Sequence, residues 1–527
     1  MHVTRMITSL ISISLLASCA YLESVTNQEE RIQSQEINPR QHNAKHIITQ
    51  PIYFVYGQLK NKGENKKRHS LAVVALSNKY HQNEIVDINH RSKMDSYYAL
   101  NLPEGEYQLL VLEDRNEDKI YSETEIVAQQ SLVLDARTYP DKVAANVDIQ
   151  LPQAITPLGK TLAVPVSVAH NTQRSLFFPK GTIRSLDDPI FSERIAILGM
   201  YDPAAFTESA PMMFYALEED MGHKIPVVFV HGIGGTAKEF HAIIDKLDRE
   251  RYKPWFFYYP SGMDLTQLSK LFYNIYLSGT VISKGPSKIV IVGHSMGGLV
   301  VREALNLYQG NNQETEVKLF ISIASPFGGL SSAQAGVERA PLVLPAWRDL
   351  TPKGSFIRHL FRNALPNSVE HHLIYAYSDS GDSRDSDGVV PVHSQMPTSN
   401  LFSGQYGFKS GHAEILRDPA AINKVLNILT RVESPFPEKH LYYLSLGGFD
   451  VVFDNTYSDL EKRLIRTTGI YLRALVNGQI EPIPFNKPFL AVVQGKAEPS
   501  SYVDTAWLKF KKDYPDLASE IHDSVTE

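Results

Sequence analysis

Hydrophobic and polar positions follow two different patterns along the 527 residues. Over residues 51–150 the apolar runs are short, at 52–56, 70–76, 107–112 and 131–134, and turn-forming pieces such as Leu102, Pro103, Glu104, Gly105 and Glu106 part them. Short apolar runs with that punctuation predict strands, and a small antiparallel β-sandwich-like domain is the simplest account. Over 190–433 the pattern changes to strand candidates at 227–230, 254–259, 288–292, 319–323 and 372–377, with helical periodicity between them, as at 264–277 and 423–429. This alternation predicts an α/β fold built on a mostly parallel sheet covered on both faces by helices. Pro-containing segments around 152–189 join the two regions. A C-terminal extension, 434–527, carries a strand-like piece at 441–444 and a charged helical stretch at 507–514, and its pattern implies no role.

The N-terminus follows neither pattern. Arg5 precedes an apolar run at 6–16 that is too short to span a bilayer but suits the core of a signal peptide. Leu16, Ala17, Ser18 and Cys19 then resemble a bacterial lipobox, in which the cysteine is lipidated and becomes the first mature residue. The expectation is a lipoprotein signal peptide at 1–18, a lipidated Cys19, and a flexible polar tether through residue 50, rich in Gln, Asn and Glu. Acyl chains there would anchor the protein to the bacterial cell envelope. Ala20 in place of Asp favours, by the same resemblance, the outer membrane of a cell that has one. The alternative is an ordinary signal peptide with an incidental cysteine.

Composition narrows the partners. With 43% hydrophobic and 21% charged residues the chain can bury more than one core, and a net charge of -6 gives no basic surplus for a phosphate backbone, so nucleic acid is not an expected partner. Cys19 is the single cysteine, which excludes an intramolecular disulfide.

Candidate chemistry centres on Gly293, His294, Ser295, Met296 and Gly297. Four β-branched residues precede Gly293, and Leu299, Val300, Ala304, Leu305 and Tyr308 recur afterwards at helical spacing, so the segment predicts strand, sharp turn and helix. Such a turn holds Ser295 exposed at a helix N-terminus as a nucleophile, with glycines where side chains would block the close approach of strand and helix.

A serine hydroxyl needs a histidine to take its proton and an acid to orient that histidine, and in sites of this kind both follow the serine in the chain. His412, in a loop just before a helical run, is the candidate base; His393 lies too near the acid in sequence and His440 lies in the extension. Asp379, Asp382, Asp385 and Asp387 all follow the strand ending near Tyr377. Asp387 is preferred because Asp387, Gly388, Val389, Val390 and Pro391 make a tight turn into an apolar segment, while the others sit in a polar, Ser-rich loop. For the oxyanion, the Gly-rich turn His231, Gly232, Ile233, Gly234, Gly235 after strand 227–230 points to the backbone N–H groups of Ile233 and Met296. Elsewhere, Asp114, Asn116, Asp118 and Glu125 begin like a calcium loop, but Lys119 stands where the sharp turn needs glycine, and a solvated hairpin turn is the expectation.

Taken together, Ser295, Asp387 and His412 in that order, with His231 and Gly232 upstream, resemble the α/β-hydrolase superfamily, and are most similar to its bacterial lipase and esterase-like members and to deacylases of GPI lipids. The resemblance covers about 214–433. It implies a serine ester hydrolase of acyl ester or lipid substrates that works through an acyl-enzyme and needs no cofactor and no metal, and together with the lipobox-like Cys19 the expectation is a lipid-anchored enzyme. It leaves open an acyltransferase using the same triad, and a cell-surface binding lipoprotein that uses the fold as a scaffold. It also implies a cap in 331–366, whose apolar stretch around Leu344 and Trp347 either lines an acyl-chain pocket or packs on the sheet edge.

Overall fold

The computed structural model of the protein describes residues 52–61, 69–77, 84–91, 97–140, 142–153, 155, 162–166, 182–201, 203–210, 213–218, 223–279, 288–311, 314–340, 343–379, 385–396, 401–499 and 501–520. Cys19, the signal-peptide positions, the tether and Asp382 lie outside the described residues.

Among the described residues, ten strands make the N-terminal region: β1 (Ile52–Asn61), β2 (Leu71–Ser77), β3 (Glu84–Arg91), β4 (Tyr97–Pro103), β5 (Gly105–Glu113), β6 (Ile120–Ser122), β7 (Ile126–Leu134), β8 (Val143–Ala144), β9 (Ile149–Leu151) and β10 (Ala163–Pro165). One sheet runs β3-β2-β5-β7, all antiparallel; the facing sheet runs β4-β1-β8, with β9 also on β1. β8 and β9 pair with β1 in parallel, a departure from the antiparallel expectation. The turn at Glu104 is therefore a switch between sheets, since β4 pairs with β1 and β5 with β2 and β7.

Alternate residues explain why these strands are apolar throughout. Val73, Ala75, Leu109 and Val111 face Tyr53, Val55, Leu100 and Leu102 across the sandwich. Their neighbours Ala72, Val74, Leu110 and Leu112 are covered instead by Tyr121 of β6 and Val164 of β10. The β-rich region thus runs on to Pro165, past the expected limit of 150. The hairpin after Asp114 is held by Glu125, whose Oε1 accepts the N–H groups of Arg115 (2.8 Å) and Asn116 (3.3 Å).

The outer face of β1 and β4 is not free. Phe54, Tyr56 and Ala99 enter the same core as Trp255, Leu268 and Tyr276. Gln267 donates from Nε2 to the carbonyls of Ile52 (2.8 Å) and Lys142 (3.0 Å). The sandwich is therefore docked by burial and by hydrogen bonds on the flank of the second region.

That second region holds β11 (Phe214–Ala216), β12 (Ile225–Val230), β13 (Tyr252–Phe257), β14 (Lys288–His294), β15 (Glu316–Ile323), β16 (Glu370–Tyr377) and β17 (Gly404–Lys409) in the order β11-β13-β12-β14-β15-β16-β17. β11 is antiparallel to β13 and every other pairing is parallel. A bridge from Ile183 to Ala216 ties residues before 190 to this sheet. Helices cover both faces, with Leu268, Leu299 and Val300 packing on one and Phe240, Ile422 and Val425 on the other. Their starts are locally encoded: Asp264 caps helix Leu265–Phe272 through the Gln267 N–H, and Asp418 caps helix Pro419–Leu429 through Ala420 and Ala421. This is the α/β-hydrolase fold.

The 331–366 segment forms helices Ser331–Arg339, Pro345–Asp349 and Ser355–His359. Ala346, Leu350, Phe356, Ile357 and Leu360 join the core around Leu299 and Val300, so this part of the segment packs as flank.

The strand expected at 441–444 is instead part of helix Glu438–Ser445. Leu441 and Leu444, three residues apart, pack with buried Tyr443 against a separate core of Phe449, Leu472, Trp507 and Phe510, and helical spacing serves that contact. Helices Asp459–Val476, Lys487–Val493, Tyr502–Asp513 and Pro515–Ser519 complete this C-terminal unit.

Candidate active site

β14 ends at His294 and helix Met296–Ala304 begins with a single residue between them, so Ser295 takes the whole change of direction, with φ 52° and ψ -127°. Positive φ on a non-glycine residue costs of order 1–3 kcal/mol and persists only where neighbours over-determine it. Here they do. The Ser295 N–H donates to the Ile323 carbonyl of β15 at 2.8 Å. A Cβ on Gly293 would lie 2.9 Å from the Cα of Gly298, and one on Gly297 would run into the carbonyls of Val230 and His231. The serine is not exposed as the sequence suggests: it is 8% accessible, because the loops after β12 and β17 close over it.

His412 comes from the loop after β17 and Asp387 from the turn after β16. Asp387 Oδ2 accepts from His412 Nδ1 at 2.7 Å, which fixes the tautomer and leaves Nε2 to accept the Ser295 hydroxyl at 2.9 Å. Asp387 is itself held at its other oxygen, where Oδ1 accepts the N–H groups of Val389 (2.9 Å) and Val390 (2.6 Å) in a turn that places Gly388 at φ 96°.

The other candidates lie elsewhere. His393 is exposed, and His440 is buried in the C-terminal unit between Tyr471 and the Glu481 carbonyl. Asp385 spends its carboxylate on the N–H groups of Asp379 and Ser386.

Beside the serine, a Cβ on Gly232 would stand 2.9 Å from the Ser295 Cβ, so only glycine lets this loop lie against Ser295. The N–H groups of Gly232, Gly234 and Gly235 are taken by Glu239, Ser261 and the Gly232 carbonyl. The Ile233 N–H lies between them in the loop, and the Met296 N–H opens its helix, where no carbonyl one turn back is available to it. His231 holds the loop from below: it stacks on Tyr259 with ring centroids 4.2 Å apart, and its carbonyl accepts the Tyr259 hydroxyl at 2.6 Å. Burial lowers its imidazole below the ordinary range.

Three supporting residues were not read from the sequence. Gln395 donates to the carbonyls of Ala376 (2.9 Å) and Val390 (3.0 Å), tying the Asp387 turn to β16. Half-buried Glu239 pairs with buried His294, Oε1 to Nδ1 at 3.1 Å, and His294 Nε2 reaches the His412 carbonyl at 3.0 Å. Burial works to lower the His294 imidazole, but the Glu239 charge and hydrogen bond, with the His412 carbonyl and Asp387, hold it above its usual range. Among the described residues no group of three or more His, Cys, Asp or Glu is placed to hold a metal ion.

Residues 286–428 match the family model described as "Alpha/beta hydrolase of unknown function (DUF915)", a span that holds Ser295, Asp387 and His412. Among curated proteins, "Putative esterase/lipase 3" of Mycoplasma genitalium is 33% identical over 98 residues, 18% of this chain and 36% of that protein. "Lysosomal thioesterase PPT2-B" of Xenopus laevis is 28% identical over 141 residues, 25% of this chain and 46% of that protein. The chain thus spans between a third and a half of the length of these relatives. Among solved structures, the mature lipase BlEst2 of Bacillus licheniformis aligns at 16% identity and a TM-score of 0.33, over 41% of this chain and 97% of that one.

Proposed function

We propose that the protein is a serine hydrolase of ester bonds, of the lipase and carboxylesterase kind. Ser295 attacks the acyl carbonyl, His412 takes the hydroxyl proton and returns it to the leaving group, and Asp387 orients His412 and balances its charge. The N–H groups of Ile233 and Met296 stabilise the oxyanion, and water resolves the acyl-enzyme. The observation that carries this reading is the relay from Asp387 through His412 to Ser295, at 2.7 and 2.9 Å, on a strained strand-to-helix turn. The relatives named esterase, lipase and thioesterase support an acyl substrate, oxyester or thioester.

The reading extends to a lipid anchor at Cys19, with the enzyme on the bacterial cell envelope and lipid or acyl esters at hand as substrates. No helix among the described residues is long and apolar enough to cross a membrane. Cys19→Ala should leave the membrane fraction and keep its turnover.

Labelling with a fluorophosphonate tests the chemistry. The folded protein should label once and lose activity, and Ser295→Ala should do neither; an unlabelled wild type, or a Ser295→Ala variant that still turns over p-nitrophenyl butyrate, would refute the assignment.

A further inference from the structure

Both ring nitrogens of His294 face acceptors. Nδ1 lies 3.1 Å from Glu239 Oε1, and that same oxygen accepts the Gly232 N–H at 3.3 Å. Nε2 lies 3.0 Å from the His412 carbonyl oxygen, which has no proton to give. A neutral imidazole donates from one nitrogen only, so it would leave the other lone pair against an oxygen. From this geometry we infer that His294 is held as an imidazolium and is a positioning residue: it clamps the backbone of the base to the carboxylate that fixes the oxyanion loop. The inference rests on the serine-hydrolase reading of the site.

The consequence for the site is mechanical. Glu239 anchors Gly232, whose Cα lies directly against Ser295, and His294 carries that anchor across to the residue that must accept the serine proton. Two loops 181 residues apart, from His231 to His412, are thereby set at one spacing. The buried site leaves little water to replace a lost contact, as His294 is 5% exposed.

Charges facing the ring favour the imidazolium. Glu239 approaches from the turn Ala237–Phe240 and Asp387 from the acid turn. His231, buried in the oxyanion loop, is pushed toward its neutral form. The His412 ring, with its centroid 5.0 Å away, gains charge when it takes the serine proton, and Asp387 then faces it. Loss of the His294 proton breaks one of the two contacts and removes that tie between the base loop and the oxyanion loop. Turnover should therefore fall on the alkaline side as His294 titrates.

The test is the rate of fluorophosphonate labelling against pH, from about 6 to 10, backed by kcat/KM on p-nitrophenyl butyrate. Glu239→Gln keeps the shape but removes the opposite charge, and should move the alkaline limb about one pH unit or more lower. His294→Gln keeps one donor for the His412 carbonyl and cannot titrate; it should remain within about tenfold of wild type at neutral pH and lose the limb, whereas His294→Leu should lose about a hundredfold through misplacement of the base. If His294→Leu does not fold, the His294→Gln profile decides alone. A labelling rate that stays flat to high pH in the wild type, or a limb that is the same in all variants, would overturn the clamp and leave the triad standing. A wild type that never labels would remove the hydrolase reading and this one with it.

Discussion

Asp387 and His412 are joined twice: the His412 N–H donates to the Asp387 carbonyl at 3.0 Å, and Asp387 Oδ2 accepts from Nδ1 at 2.7 Å. The backbone bond sets the distance between the two loops, and the side-chain bond sets the tautomer. They can be separated by substitution. Asp387→Asn keeps the first and presents Nδ1 with an amide that favours the wrong tautomer, so kcat should fall by about 10⁴ with the fold intact. Asp385→Asn, in a carboxylate that accepts the backbone N–H groups of Asp379 and Ser386 while His412 Nδ1 is held by Asp387, should stay within a few-fold. Steady-state kinetics and circular dichroism on the two variants check this; a large loss in Asp385→Asn would move the acid one turn upstream.

Gly232→Ala tests the loop beside the nucleophile. Its Cβ would fall 2.9 Å from the Ser295 Cβ and 3.4 Å from Oγ, and the loop must retreat to make room. The N–H of Ile233 retreats with it. Loss of one oxyanion donor costs about 10² to 10³ in kcat, so turnover should fall by that order while the Ser295 to His412 hydrogen bond remains. Pre-steady-state acylation should slow by the same factor, and an unchanged acylation rate would separate Ile233 from the oxyanion.

The parts of this site that the sequence makes legible are those whose geometry is local. Ser295 is visible because β-branched residues, a glycine-flanked serine and a helical run are contiguous, and Asp387 because Gly388, Val389 and Val390 supply its turn within three residues. Glu239 and Gln395 are invisible by the same reasoning. Glu239 meets His294 across 55 residues and Gln395 meets β16 across 19, and neither sits in a motif. Edge strand β17 is missed because its residues alternate between exposed and half-buried, with little apolar content. The docking of the sandwich rests on Gln267 and Ile52, 215 residues apart, a contact that no local pattern encodes.

A carboxyl other than Asp387 sets a pH dependence of stability. Asp349, at the end of helix Pro345–Asp349, accepts the Leu265 N–H at 2.7 Å, and burial together with the charge of Asp264 pushes its pKa up to about 7. An unfolded aspartate titrates near 3.9, so between about pH 4 and 7 the folded protein holds a proton that the unfolded chain has lost. Stability from this group is present in full below that window and is lost as pH rises through 7. Asp349→Asn keeps an acceptor for Leu265 and has no charge to bury, so it should raise the urea midpoint at pH 8 and leave it nearly unchanged at pH 4. Equal shifts at both pH values would show that the effect is packing rather than ionisation.

Leu350 tests the packing role of the 331–366 segment against an acyl-pocket role. It is 2% exposed, its carbonyl accepts the Leu330 N–H at 2.7 Å, and it packs in the core that includes Leu299 and Val300. Helix Pro345–Asp349 is pinned beside it, where the Ala346 N–H reaches the Gly262 carbonyl at 3.2 Å. A side chain so placed supports the helix that follows Ser295. Leu350→Ala should then cost about 2–5 kcal/mol through lost burial and a cavity. An acyl-pocket wall would behave differently, since each buried CH₂ of the substrate is worth about 0.8 kcal/mol and the loss would grow with chain length. The variant should lower Tm, and at a temperature where it is still folded should reduce turnover of p-nitrophenyl acetate and of the long-chain ester in the same proportion. A loss confined to the long-chain ester at unchanged Tm would instead make Leu350 part of the acyl-binding wall.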